Sequence, residues 1–224
     1  MKLLWRIGLF ALAVVLVYWF SVPVARVQLQ ADSWEAPLVD QVWYGHPQGF
    51  LMLLNRASVV DRLEGLPVLD VAIGRERPWN ATVSVDLLDP DVVIRQGSRM
   101  AVVFLKAGTA YVVTAVSEAW TVVNVSGFPS ASGAFLSTSI KYAPLCCELM
   151  QHRNQLVIAG VSLSSSRGLS VQLEDGKTLV FGDSDNSASK IERAIAVLGM
   201  PAFKGKKVTI DVRFDGQAVI PGAP

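Results

Sequence analysis

A charge-free apolar run near the N-terminus constrains this chain more than any other stretch. It extends from Ile7 to Ala25 and reads IGLFALAVVLVYWFSVPVA. About 19 residues at roughly 1.5 Å rise each give close to 28 Å of helix, near the thickness of a bilayer core. Lys2 and Arg6 precede the run, Arg26 follows it, and the next basic residue is Arg56. Basic flanks stay on the cytoplasmic side, so this distribution predicts a transmembrane helix with residues 1–6 inside and everything after Arg26 outside. Tyr18, Trp19 and Phe20 fall near the outer end, where aromatic rings favour the interface. A cleaved signal peptide is the alternative, because the N-terminus is basic and Pro23-Val24-Ala25 ends on a small residue. The length of the run and the proline three residues before the cut favour a retained anchor. Either reading exports the remainder.

About 200 residues follow, enough for one or two domains with their own cores. The net charge of +1 offers no global electrostatic case for nucleic acid. Richness in Val, Leu and Ala marks a folded chain. The two cysteines, Cys146 and Cys147, are neighbours. Adjacent Cα atoms stand only about 3.8 Å apart, short for a disulfide, and an exported domain held by disulfides would show spaced pairs. Two small buried residues on a helix is the favoured reading. Asn80-Ala81-Thr82 and Asn124-Val125-Ser126 match the glycosylation triplet, a pattern that arises often by chance.

Periodicity predicts the elements. Residues 24–30 alternate and read as a first strand. Leu38, Val39, Val42 and Trp43 fit one face of a helix over 35–44, which Gly45-His46-Pro47-Gln48-Gly49 breaks. Residues 50–54 form a short apolar run. Asn55 is placed to cap a second helix, with Ala57, Val60 and Leu63 at helical spacing, Gly65 beyond its end and Pro67 preventing continuation. Residues 68–73 and 82–88 read as strands joined by a polar connection, Arg75 to Asn80. From residue 96 the chain is mostly strand-like, with segments at 100–105, 110–114, 120–125, 156–162, 169–173 and 178–181. Residues 127–133 read as loop and 142–152 as a helix carrying both cysteines. Asp175-Gly176 is a hairpin signal. Ser189-Lys190-Ile191-Glu192 has capping-box form, and Ile191, Ala194, Ile195 and Leu198 give that helix one apolar face. After the basic turn 204–207, residues 208–214 (VTIDVRF) alternate, placing Val208, Ile210, Val212 and Phe214 on one face. Asp215-Gly216 turns or bulges the chain, and 217–220 continue it extended.

The sequence holds no recognisable set of catalytic residues, cofactor-binding residues or metal ligands. His46 and His152 are the only histidines, and neither a metalloprotease helix, a nucleophile elbow nor a phosphate-binding loop is present. Ser164-Ser165-Ser166 lacks a base at motif spacing and reads as a turn. Asp183-Ser184-Asp185-Asn186 lacks the glycine and terminal glutamate of a calcium loop. Arg75 and Arg77 read as a solvated hairpin tip. What remains is binding. A free sheet edge recruits a strand through backbone hydrogen bonds, and the last strand of such a domain is a natural edge, unless it is covered or internal.

Three stretches carry a resemblance. Residues 49–94 (GFLMLLNRASVVDRLEGLPVLDVAIGRERPWNATVSVDLLDPDVVI) place a Gly-x-Leu-Leu-like run before a helix, then Leu-Pro, then two strands around an Arg-x-x-Pro tip. Residues 169–198 (LSVQLEDGKTLVFGDSDNSASKIERAIAVL) combine an Asp-Gly hairpin, Phe-Gly, and a helix opening near a lysine. Residues 209–220 (TIDVRFDGQAVI) form a closing Ile-Asp-hydrophobic-Arg-aromatic strand. In order and spacing the chain resembles the bacterial cell-division family FtsQ/DivIB.

The resemblance implies an α+β fold: an N-terminal transmembrane helix, a POTRA-like β-α-α-β-β domain, then a mostly antiparallel β domain with helices. The expected divisions are a cytoplasmic tail 1–6, the membrane helix 7–25, the POTRA-like domain 26–95, the β domain 96–220 and a tail 221–224. It implies a non-enzymatic divisome scaffold without cofactor, in the cytoplasmic membrane and enriched at the septum. Its partner would be a small coiled-coil membrane protein of FtsB/FtsL type, captured by strand addition at Phe214, Gly216, Gln217, Ala218, Val219 and Ile220, with Arg213 beside them. The POTRA-like half would meet other membrane division proteins, with 75–79 a weaker contact. No nucleic acid is expected. The alternatives are another single-pass POTRA-containing export or envelope-assembly component, and an envelope hydrolase or metal enzyme.

Overall fold

The chain divides between Leu88 and Asp89 into two units, which are described separately. The computed structural model describes residues 2–21, 26–32, 34–45, 56–77, 80–114, 116–214 and 216–220. The architecture is α+β, with a three-stranded and an eight-stranded sheet.

The first unit opens with α1 (Lys2–Ser21). The transmembrane helix expected at Ile7 to Ala25 is not seen: no helix among the described residues is long and apolar enough to cross a membrane. The described part of α1 runs to Ser21, and residues 22–25 of the expected span lie outside the described residues. The charge-free part that is described is about 15 residues, or roughly 22 Å, against a hydrocarbon core of about 30 Å.

Next come β1 (Arg26–Gln30), α2 (Ala36–Gly45), α3 (Arg56–Arg62), β2 (Val68–Arg77) and β3 (Asn80–Leu87). This is the strand-helix-helix-strand-strand order expected from periodicity. Strand β3 is central, parallel to β1 and antiparallel to β2. Its Ala81, Val83, Val85 and Leu87 point inward and Thr82, Ser84 and Asp86 outward, as a strand with one covered face requires. Leu38, Val39 and Trp43 of α2, with Val59 of α3 and Leu63 just beyond it, are buried. The Arg62 guanidinium lies 4.8 Å from the centre of the Trp43 ring. Gly65, at φ +94°, ends the α3 turn as a C′ glycine does. The polar stretch expected to connect β2 and β3 is largely strand, since Arg77 pairs with Asn80. His46, Asn55, the run 50–54, Pro78 and Trp79 lie outside the described residues.

The second unit contains β4 (Val92–Gln96), β5 (Arg99–Phe104), β6 (Thr109–Val113), β7 (Val122–Ser126), α4 (Ser132–Gln151), β8 (Ile158–Ser164), β9 (Gly168–Leu173), β10 (Thr178–Gly182), α5 (Ser187–Leu198) and β11 (Thr209–Asp211). The sheet order is β11-β10-β9-β8-β7-β4-β5-β6. Antiparallel pairings are the majority, as expected, but the sheet is mixed. Three pairings, β4–β7, β7–β8 and β10–β11, are parallel and four are antiparallel. Parallel neighbours require a crossover, and α4 and α5 supply two of them.

Helix α4 begins at Ser132 rather than at Tyr142. Phe135, Ser139, Tyr142, Cys146 and Leu149 form its buried stripe, at spacings of four and three. Pro144 sits inside the helix and obscures that stripe in the sequence. Phe128, just before α4, places its ring 6.1 Å from those of Phe135 and Tyr142. The expected capping box at Ser189 does not form. Helix α5 starts at Ser187 after Asn186, which takes the left-handed conformation (φ +53°) with no side-chain cap bond. The Asp175-Gly176 hairpin forms as expected, with the Leu173 amide donating to the Lys177 carbonyl at 2.9 Å.

Glu35 ties the first unit together. It is 4% exposed and accepts from the Leu87 amide at 2.9 Å and the Asp32 amide at 3.3 Å. Burial pushes its carboxyl above the usual range, and the two backbone donors offset only part of that. Glu35→Gln would turn an amide NH2 toward one of these donors. The expected result is a loss of about 1–3 kcal/mol in urea unfolding, the cost of one buried donor left without an acceptor. An unchanged midpoint would show that the two bonds do not hold the unit.

Candidate functional site

The large sheet ends at β11, and the residues singled out for partner binding lie just beyond it. Sequence alternation predicts one long strand over 208–214, continued extended through 217–220. The structure corrects this. Strand β11 covers only Thr209–Asp211, the chain then reverses, and Val219 returns antiparallel beside Asp211. Each amide donates to the other's carbonyl at 2.8 Å.

Asp211 causes the reversal. Ile210 and Val212 are fully buried, as alternation requires, but Asp211 between them is also only 7% exposed. Its carboxylate accepts from Nε of Arg213 at 3.0 Å on both oxygens and from Nη2 at 2.6 Å. The Arg213 amide also donates to Oδ1 at 3.1 Å. A side chain bonding the backbone two residues on makes an Asx turn, which ends the extended course. Phe214 consequently leaves the apolar face and is 53% exposed. The Gln217 amide donates to the Phe214 carbonyl at 3.3 Å, and Gly216 takes φ +71°. Asp215 lies outside the described residues.

The neighbouring hairpin makes room for Arg213. A Cβ on Gly182 would stand 2.8 Å from Cγ of Arg213, and Gly182 also holds φ +74°. Any side chain there would displace the arginine stem. Burial alone would push the Asp211 carboxyl up. The hydrogen bonds and charge of Arg213, with a smaller contribution from Arg167, outweigh it and hold the group below the usual carboxylate range.

The named residues therefore divide. The Arg213 guanidinium is committed to Asp211 and lies 5.6 Å from the centre of the Phe214 ring. Phe214, Gly216, Gln217 and Val219 are exposed, whereas Ala218 and Ile220 pack against the core. Val219 turns both its backbone groups toward Asp211, and in an antiparallel ladder the groups of the flanking residues, here Ala218 and Ile220, are the ones that face away from the partner. One contributor was missed in the sequence. Arg193 of α5 donates to the carbonyls of Phe214 at 2.7 Å, Gln217 at 3.3 Å and Val212 at 3.5 Å. An arginine on the polar flank of an amphipathic helix carries no sign of this, because its partners are backbone carbonyls.

Elsewhere the chemistry is quiet. Cys146 and Cys147 are free thiols, pushed by burial up to about 12 and about 11. A thiol so placed stays protonated and is not a nucleophile at neutral pH. Cys147 lines a cleft of about 880 Å³ together with Val92, Leu105, Trp120, Pro144 and Ser187, and its thiol faces the Asp91 carbonyl at 3.6 Å. The 183–186 segment leads into α5, where Asp183 pairs with the buried Lys190. Ser164 accepts from the Arg167 amide at 3.1 Å, closing the turn predicted there. Among the described residues no group of three or more His, Cys, Asp or Glu could hold a metal ion. No protein-family model matches the chain, and no curated protein matches it.

The Asp211 carboxyl is depressed in the folded state, so its stabilising contribution is complete above the unfolded value of about 3.9 and is lost as pH falls through the lower folded value. Acid titration followed by the Val219 amide resonance should show the 211–219 pairing weakening in that range. In Asp211→Asn the acid-induced loss at Val219 should disappear. The same titration in both proteins would show that another group controls the edge.

Proposed function

We propose that this chain is a non-enzymatic scaffold of the bacterial division machinery, which captures a coiled-coil membrane partner of the FtsB/FtsL type by strand addition along residues 218–220. The observation that supports this most is the antiparallel pairing of Val219 with Asp211 at the end of an eight-stranded sheet, which by ladder geometry turns the flanking backbone groups of Ala218 and Ile220 outward. Such a row binds an extended segment without any special side chain, and alternate side chains then set specificity. Phe214, Gln217 and Val219 are exposed beside it and supply those contacts. The motif order over 169–198 and 209–220 supports the same reading, as does the β-α-α-β-β order of the first unit. In this reading the first unit meets other membrane division proteins, and the scaffold works at the septum on the outer side of the cytoplasmic membrane.

Proline separates the two faces of the terminal segment. Ala218→Pro removes an outward amide and spares the Val219 amide that bonds Asp211. Photocrosslinking in dividing cells from position 217 should capture a small coiled-coil membrane protein in the wild type. Ala218→Pro should reduce that capture at least about tenfold, equivalent to about 1.4 kcal/mol, while the melting temperature moves by only a few degrees. Undiminished capture by a folded Ala218→Pro protein would rule out strand addition at this edge.

A further inference from the structure

Arg193 holds the terminal segment in a way that bears on the proposed capture. Its side chain is half-buried, and no carboxylate pairs with it among the described residues. Its Nη1 instead reaches carbonyls on both limbs of the reversal: Val212 and Phe214 before the turn, Gln217 after it. Its Nη2 donates to the Ser189 hydroxyl one helical turn back at 3.4 Å. The base of the side chain is fixed, since Ile191 and Ala194 on either side of it are fully buried in the core. Among the described residues the segment is also held by the Asp211–Arg213 bonds, the pairing of Asp211 with Val219, the Phe214–Gln217 turn bond and the packing of Ala218 and Ile220, none of which joins the two limbs from outside the segment as this arginine does.

We propose that Arg193 is a positioning residue for partner capture, acting by pre-ordering the outer strand from helix α5. This rests on the strand-addition reading. An arriving strand has to meet donors and acceptors already spaced for a ladder. If the segment frays, the partner has to order it, and each ordered residue and side chain subtracts from affinity. A guanidinium with several donors can bond both limbs at once, whereas a lysine ammonium is a point charge on a flexible stem. The position should therefore tolerate lysine only in part.

The test compares wild type, Arg193→Ala and Arg193→Lys in the full chain with two independent readouts. The first is residue-resolved amide hydrogen exchange, which needs no partner. In Arg193→Ala the Asp211 and Val219 amides should exchange at least about tenfold faster, while the Leu173 amide in the same sheet keeps its protection. Arg193→Lys should fall between. The second is photocrosslinking from position 217 in cells, where Arg193→Ala should lose about tenfold or more of the wild-type capture. Unchanged protection at Val219, or an equal loss at Leu173, overturns the inference. So does wild-type capture matched by Arg193→Ala, an outcome that leaves strand addition standing. Absence of capture by wild type itself removes the strand-addition reading and this inference with it, even if exchange at Val219 quickens.

Discussion

A carboxylate buried at the end of a sheet has to be paired, and most of the C-terminal geometry follows from that requirement. An unpaired Asp211 would cost several kcal/mol. Its pairing with Arg213, only two residues on, leaves no room for the chain to stay extended. The strand therefore stops after three residues, the chain doubles back, and Val219 occupies the edge that β11 would have left bare. The requirement reaches into the preceding hairpin, because the arginine stem crosses Gly182 where a Cβ would collide. Gly168 stands in the same relation to Gly182, since a Cβ there would lie 2.3 Å from the Gly182 carbonyl oxygen. Two glycines, an aspartate and an arginine, dispersed over more than forty positions, thus specify a single corner.

The interior explains why that corner is well supported. Helix α4 lays Phe135, Tyr142, Cys146 and Leu149 against the large sheet, and α5 adds Ile191, Ala194 and Val197. Both helices are crossovers between parallel neighbours, so their burial and the strand order are one solution. Because α5 is seated in the core, anything it holds at its polar flank inherits that rigidity.

The parts legible in the sequence were those with local signatures. The order of the first unit could be read because Gly65, Pro67 and strict alternation in β3 each act within a few residues. The Asp175-Gly176 hairpin was legible for the same reason. Helix α4 was read only in its second half, since Pro144 and a Ser/Gly-rich start mask a stripe that spans about four turns. The apolar N-terminal run suggested a membrane-spanning helix over 7–25, whereas no helix among the described residues is long and apolar enough to cross a membrane. At the edge, alternation identified Ile210 and Val212 correctly and misplaced Phe214, because the period-two pattern contains no information about an Asx turn. Arg193 was invisible for a deeper reason. Its acceptors are peptide carbonyls, which every residue possesses, so no pattern of side chains betrays them.

The outward row at Ala218 and Ile220 has one consequence of its own. In a ladder, adding a strand satisfies one set of backbone groups and presents another of equal length on the newcomer's far side. Recruitment at this corner would hand on the unsaturated boundary to the newcomer's own outer side, where a third and a fourth chain could stack. Termination has to come from the guest: a short segment, a charge or proline facing outward, or a helix that begins directly after it. A chain that joins this sheet and stays in a complex of fixed size must carry its own stop signal.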